Sequence, residues 1–323
     1  MNSEKAKDAR TVLALSGGVG GAKLALGLAR ILAPGALTVV ANTGDDFEHL
    51  GFHIAPDIDT LTYTLAEIQN PETGWGRADE TWSFMAALGE LGGETWFKLG
   101  DRDLAVHVER ARRLRLGEPL SAITAGIAQS LGISSRILPM TDDPVRTRVM
   151  TPDGPMDFQR YFVEAQCAPK VTGFHFAGAE DAQPHAEVLA ALSDPALRAV
   201  IICPSNPYIS VDPMLAMPRL RAAIAACAAP VIAVSPVIGK QAVKGPTAKM
   251  MAELGHAVDA VTVAEHYRDL IDGFVIDTVD ASAATEIDVP IMVRPILMRS
   301  LSDREQLAAA ALEFADRLAA GRA

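Results

Sequence analysis

The sequence predicts an α/β fold: a Rossmann-like, three-layer α/β/α core with a mostly parallel sheet and an inserted α+β subdomain. Three observations carry this reading. The chain opens as strand, glycine turn, helix, strand. Near residue 135 it changes to short strand-like runs around a Pro-Asp-Gly turn. Past residue 180 the alternation of apolar strand and helix returns.

Thr11 to Leu15 is an apolar run that stops at a glycine loop and reads as the first strand. Ala22 to Leu32 is rich in helix formers, and Leu37 to Ala41 is a second β-rich run, which completes a βαβ opening. Ile58 to Ile68 and Glu80 to Leu91 read as helices. Leu104 to Leu116 is a helix with a basic far end, and Pro119 starts another that stops at Gly132. Ser135 to Leu138, Val145 to Met150 and Met156 to Phe162 are strand-like, and Val171 to Phe176 is a further candidate. These place an antiparallel subdomain at 134–180. The core then takes 11–133 and 181–323, and residues 1–10 form a disordered tail.

In the second half, Ala199 to Cys203 is a strand followed by PSNP and a helix to about Ala228. Val231 to Ser235 is a strand followed by a glycine loop and a helix from Pro246 to Leu254. Phe274 to Asp277 and Pro290 to Val293 are late strands. Asp303 to Ala319 is a closing helix with Ser302 or Asp303 as its cap. The two α/β halves are expected to share one sheet.

Composition narrows the class. Of 323 residues, 49% are hydrophobic and 21% charged, with mean hydropathy +0.18, which excludes a mainly disordered chain. The net charge of −11 argues against nucleic acid or an anionic membrane as partner. An anionic substrate would then need a local cation, a helix N-terminus or a few placed Lys and Arg. The three cysteines form no CxxC pair, so neither a zinc knuckle nor a disulfide framework is indicated. A polar N-terminus and the lack of a long apolar run point to a soluble, cytoplasmic protein.

Seven loops carry the chemistry. In Ser16-Gly17-Gly18-Val19-Gly20-Gly21-Ala22-Lys23, four glycines between strand and helix let backbone N–H groups approach a phosphate. The loop is not a P-loop, because Ala22 precedes Lys23 and Leu24 follows it. Nor is it a dinucleotide fingerprint, because Lys23 stands where the third glycine belongs. Asn42-Thr43-Gly44-Asp45-Asp46 follows the second strand, and Pro56-Asp57-Ile58-Asp59-Thr60 comes soon after. Four carboxylates within 15 residues beside a glycine loop suit Mg²⁺, although Asp57 or Asp59 also fits as a helix cap. In Lys98-Leu99-Gly100-Asp101-Arg102-Asp103, Asp103 suits a cap, while Lys98 and Arg102 suit an anion. Pro204-Ser205-Asn206-Pro207, Ser235 to Lys240 and Lys244-Gly245-Pro246-Thr247 are polar loops expected at the same crevice.

Taken in order, LSGGVGGAKLALGL, NTGDDFEHLG, APDIDTLTYTL, GWGRADETW, KLGDRDLAVHV, ILPMTDDPV, PSNPYISVDPML and SPVIGK resemble the 2-phospho-L-lactate transferase family of deazaflavin coenzyme F-420 biosynthesis, from about residue 11 to 300. Bacterial members are phosphoenolpyruvate transferases. The resemblance implies that the terminal ribityl hydroxyl of the deazaflavin Fo attacks the phosphorus next to the acyl oxygen of a guanylylated donor. GMP leaves, with Mg²⁺ required. The acyl part is lactyl, enolpyruvyl or glyceryl.

The resemblance further implies Fo contacts at Asp59 and Lys98, and metal ligands at Asp45 and Asp59. Guanosine diphosphate maps to the loop of Gly17, Gly18, Gly20, Gly21 and Lys23, to Pro204, Ser205 and Asn206, and to Ser235 through Gly239. A homodimer is expected. Val19 departs from the Thr common in archaeal members. Phosphoryl transfer needs positioning and charge neutralisation, so Arg102 is the candidate for developing charge, and Asp46 or Asp57 for the base. Two other readings compete. One is a non-catalytic regulator that binds nucleotide-sugars on a similar loop. The other is a nicotinamide oxidoreductase, which the missing third glycine and ribose-binding acid disfavour.

Overall fold

The computed structural model describes residues 10–243 and 245–322. The expected tail, apart from Arg10, and Lys244 lie outside the described residues. In chain order the elements begin β1 (Thr11–Ser16), α1 (Gly18–Ile31), β2 (Leu37–Ala41), β3 (Phe47–His49), β4 (Phe52–Ile54), α2 (Pro56–Leu65), α3 (Ser83–Glu90), α4 (Asp101–Arg115) and α5 (Leu120–Ser130). They continue with β5 (Arg136–Pro139), β6 (Arg146–Thr151), β7 (Gly154–Asp157), β8 (Gly173–Ala177), α6 (Ala186–Leu192), β9 (Leu197–Ile202), α7 (Asp212–Leu215) and α8 (Pro218–Ala225). The last are β10 (Val231–Val234), β11 (Val237–Ile238), β12 (Gln241–Ala242), α9 (Thr247–Glu253), α10 (Ala260–His266), β13 (Gly273–Ile276), β14 (Ile291–Val293) and α11 (Leu301–Arg322).

Seven strands form one parallel sheet in the order β14-β13-β10-β9-β1-β2-β5. Both α/β halves contribute to it, as expected. The alternation in β1 shows why it is buried on both faces. Leu13 and Leu15 join one core with α7 to α10, while Val12 and Ala14 join the other with α1 and α11. From β1 the chain builds outward through β2 and β5, then returns to lay β9 on the other side of β1. The sheet therefore switches direction between β1 and β9, and a crevice opens at their C-terminal ends.

Several local expectations change. The strand expected at 135–138 within the insertion is β5, and it pairs in parallel with β2 at the edge of the central sheet, Ile137 opposite Val39. Its apolar pair Ile137 and Leu138 is buried on that sheet, so the antiparallel piece is only β6, β7 and β8. The run 156–162 is strand only to Asp157. It then coils into a wide helical turn, Arg160–Glu164, which brings buried Phe158 and Tyr161 onto one side. The hairpin of β3 and β4 was not expected. Helix α11 starts in a capping box: Asp303 N–H donates to Ser300 Oγ at 3.1 Å, and Ser300 N–H donates to Asp303 Oδ2 at 2.7 Å. Ser300 is thus the cap, in place of Ser302 or Asp303. No helix among the described residues is long and apolar enough to cross a membrane.

Candidate active site

A cavity of about 640 Å³ sits at the crevice, walled by the Gly17–Gly20 turn, the loop after β9 and the start of α2. The glycines divide by role. Gly18 has φ +63°, and a Cβ there would meet nothing within 4 Å, so the side of Cα where a side chain would stand faces open space. A Cβ on Gly17 would lie 2.6 Å from Ser210 Cβ, and one on Gly20 would run into the Pro204 carbonyl. Those positions are glycine because neighbouring backbone and side chains close on them. Helix α1 has no side-chain cap and no acid in its first turn. Instead, Gly18 N–H donates to Asp57 Oδ1 at 2.6 Å, and Gly17 N–H donates to Ser205 Oγ at 3.3 Å.

Asp57 and Asp45 form the acidic centre. Asn42, at the end of β2, donates through Nδ2 to Asp57 Oδ2 at 2.9 Å and accepts from Gly44 N–H at 2.8 Å, so it fixes both loops at once. Burial pushes the Asp57 carboxyl up to about 6, against the hydrogen bonds from Asn42 and Gly18. Burial, followed by the Asp57 charge, holds Asp45 well above the usual carboxylate range. Asp45 Oδ1 is fully buried and has no hydrogen-bond partner among the described residues. An unpartnered buried carboxylate oxygen beside a second carboxylate is a donor set that fits a hard divalent cation. Asp46 turns to His53, whose Nε2 lies 2.9 Å from its Oδ2, while its charge still bears on both Asp45 and Asp57.

Asp59 lines the same cavity, yet its carboxylate is committed. Both oxygens accept from Arg110, which is 1% exposed. Behind them, His107 Nδ1 lies 3.7 Å from Asp59 Oδ2 and its Nε2 lies 3.4 Å from Asp103 Oδ2. The Tyr63 hydroxyl donates to Asp103. Asp59, Asp103 and His107 are close enough to hold an ion, but Arg110 Nη1 stands 3.3 Å from His107 Nδ1. A cation there would face a buried guanidinium, so this is a salt-bridge network. Asp57, and not Asp59, exerts the strongest charge effect on Asp45.

The other expected residues divide. Lys98 is exposed at the cavity wall, and Pro204, Ser205, Asn206 and Ser235 line it. Lys23 lines it too, and its Nζ donates to the Met298 carbonyl at 3.4 Å. Asn206 Oδ1 accepts from Tyr208 N–H and Ser235 Oγ accepts from Val237 N–H, so both also brace their own turns. Gly21 is buried against Ser16 and Ser205. Gly239 lies outside the cavity wall, exposed, with its N–H on Asp280. Arg102 is exposed and outside the wall as well. The phase of α4 explains this: Asp103, His107 and Arg110, at i, i+4 and i+7, share the inner face, and Arg102 falls about 100° away. That spacing was present in the sequence and marks Arg110, which motif reading passed over.

The family described as 2-phospho-L-lactate transferase CofD matches residues 12–291. A phosphoenolpyruvate transferase of Streptomyces avermitilis is 39% identical over 314 residues, 94% of this chain and 98% of the relative. A 2-phospho-L-lactate transferase of Methanocaldococcus jannaschii is 33% identical over 307 residues, 94% of this chain and 97% of the relative. Among solved structures, a UPF0052-family protein of Bacillus halodurans superposes with TM-score 0.60 at 15% identity, covering 94% of this chain and 98% of that one. This last likeness is one of fold.

Proposed function

The chain belongs to the 2-phospho-L-lactate transferase CofD family, and on that premise we propose that it works in coenzyme F-420 biosynthesis, moving a phosphate-linked acyl group from a guanylylated donor to the deazaflavin Fo. The terminal ribityl hydroxyl of Fo attacks the donor phosphorus that carries the acyl oxygen. A new P–O bond forms, the bond to the bridging diphosphate oxygen breaks, and GMP departs. The hydroxyl proton goes to a carboxylate, which we assign as Asp57, poised near 6.

One observation carries the reading. Gly18 at the start of α1, with open space on its Cα, the unpartnered Asp45 oxygen and Lys98 share one cavity with the aromatic rings of Trp75, Trp96, Phe97 and Phe158. A diphosphate suits the helix terminus and a flat ring system suits the aromatic wall, so the two substrates meet beside Asp45. Mg²⁺ would be held by Asp45, whose buried Oδ1 is unpartnered, and would neutralise diphosphate charge in a chain of net charge −11; Asp59, expected as a second ligand, has both oxygens on Arg110 and is left as an Fo contact. Ser205, Asn206 and Ser235 would hold the nucleoside half. Arg110 holds the Asp59 carboxylate in place at the cavity wall, where it would meet Fo. The donor's acyl group is enolpyruvyl first, after the bacterial relatives, or else lactyl or glyceryl.

The test is incubation with Fo, Mg²⁺ and each guanylylated donor in turn, with products read by mass. A phosphodiester of Fo carrying the donor's acyl group is expected. No Fo-dependent product with any donor sinks the proposal.

A further inference from the structure

We infer that a second, smaller cavity beside Asp45 receives the carboxylate of the transferred acyl group, with Arg146 as its anchor. This rests on the transfer proposed above and adds to it the element that selects the donor.

The cavity holds about 340 Å³ and shares Asp45, Trp96, Phe158 and Gln159 with the larger one. No residue of the glycine loop lines it. A group bonded to the reacting phosphate must occupy space contiguous with Asp45, and this cavity supplies such space apart from the diphosphate loop. Its walls are fastened to the Asp45 turn. Thr147 N–H, on β6, donates to the Gly44 carbonyl at 2.7 Å, and Gln159 Nε2 donates to the Asp45 carbonyl at 3.3 Å.

Three arginines line the space, and two are already neutralised. Arg148 is paired with Asp157. Arg160 lies 4.2 Å over the Trp96 ring and reaches Glu164 at 3.0 Å and Glu94 at 3.6 Å. Arg146 is different. Among the described residues no carboxylate lies within ion-pair distance of it; its charge helps steady the buried Asp46 at longer range, and its Nη1 donates to the Val145 carbonyl at 2.8 Å. Carboxylates also line the space, but Asp157 is taken by Arg148, Glu94 by Arg160, and Asp46 and Glu48 by His53, so the half-buried Arg146 fork keeps donors for a further anion. Its planar fork matches a carboxylate with two parallel hydrogen bonds. Lactyl and enolpyruvyl groups carry a carboxylate on the carbon that bears the ester oxygen, and a glycerate-derived group carries one within two carbons of it, so the same anchor serves all three and rejects a donor that lacks it.

The experiment is calorimetric titration of the full chain with three ligands: guanosine diphosphate, an acyl donor, and an analogue with ethyl in place of the carboxylate-bearing group. Wild type should bind the carboxylate donor roughly 10- to 100-fold more tightly than the ethyl analogue, the range of a charge-assisted pair. Arg146→Ala should shrink that preference to about twofold while guanosine diphosphate binding, which reports a folded site, stays within about twofold. Arg146→Lys should keep part of the preference. If Arg146→Ala keeps the full wild-type preference, the subsite is refuted. A product from wild type in the mass assay then leaves the transferase reading standing. If wild type forms no product from any donor, that reading falls and the subsite falls with it.

Discussion

Gly18 N–H donates to Asp57 Oδ1 at 2.6 Å, so a carboxylate of the chain itself holds the first N–H of α1. The proposed function gives that group to a phosphate. Exchange of one anion for another follows, and Asp57 is left beside the reacting hydroxyl. Asp57→Asn weakens this competition and removes the proposed base. Affinity for guanosine diphosphate at pH 7.5 should rise roughly 3- to 10-fold, while turnover falls about 100-fold. Calorimetry and turnover on the same preparation check both. A loss of affinity together with full turnover would refute the assignment.

Asp57 also predicts a pH dependence of stability. Its carboxyl is raised from 3.8 to about 6 in the fold, so the folded chain binds this proton more tightly than the unfolded chain. Its contribution is fully present below 3.8 and is lost as pH rises through about 6. The melting temperature of wild type minus that of Asp57→Asn should decline across this window and level off above it. A difference that stays flat or rises with pH contradicts the raised value.

The glycines give a paired test. Gly18→Ala places Cβ in open space at a positive φ, with a cost of about 1 kcal/mol. It should fold and lose nucleotide affinity. Gly20→Ala drives Cβ into the Pro204 carbonyl and should lower the melting temperature sharply. Thermal melts and calorimetry separate the two. If Gly18→Ala binds guanosine diphosphate as wild type does, the loop is only a turn.

Arg110 and Arg102 should behave oppositely. Arg110→Met leaves the buried Asp59 carboxylate without its cation and should cost about 3–5 kcal/mol. Arg102→Ala removes an exposed side chain outside the cavity, and turnover should stay within about twofold. Chemical denaturation and steady-state rates measure both. A large loss of turnover in Arg102→Ala would return that residue to the site.

The sheet was legible because β1, β2, β9 and β10 are short apolar runs, each ended by a polar or glycine turn. The anion loop was legible for the same reason. β5 was misplaced because apolar content does not say which sheet a strand joins; only its burial against β2 decides that. Gly17 and Gly18 were read together, yet only the fold shows that one is packed and the other open. The family resemblance pairs Asp45 with Asp59. The structure sets Asp57 against Asp45, because Asn42 ties Asp57 to the end of β2, while Arg110 draws Asp59 toward α4. Arg146 carries no motif at all. Its significance comes from what its neighbours Arg148 and Arg160 are already bound to.

The most direct test of the account follows the oxygen at the bond that forms. Fo labelled with ¹⁸O in the terminal ribityl hydroxyl is incubated with wild type, Mg²⁺ and an unlabelled guanylylated donor, and both products are weighed. The account predicts GMP without label, released one for one with a phosphodiester that keeps the ¹⁸O. Release of guanosine diphosphate, or GMP release that does not depend on Fo, would contradict it.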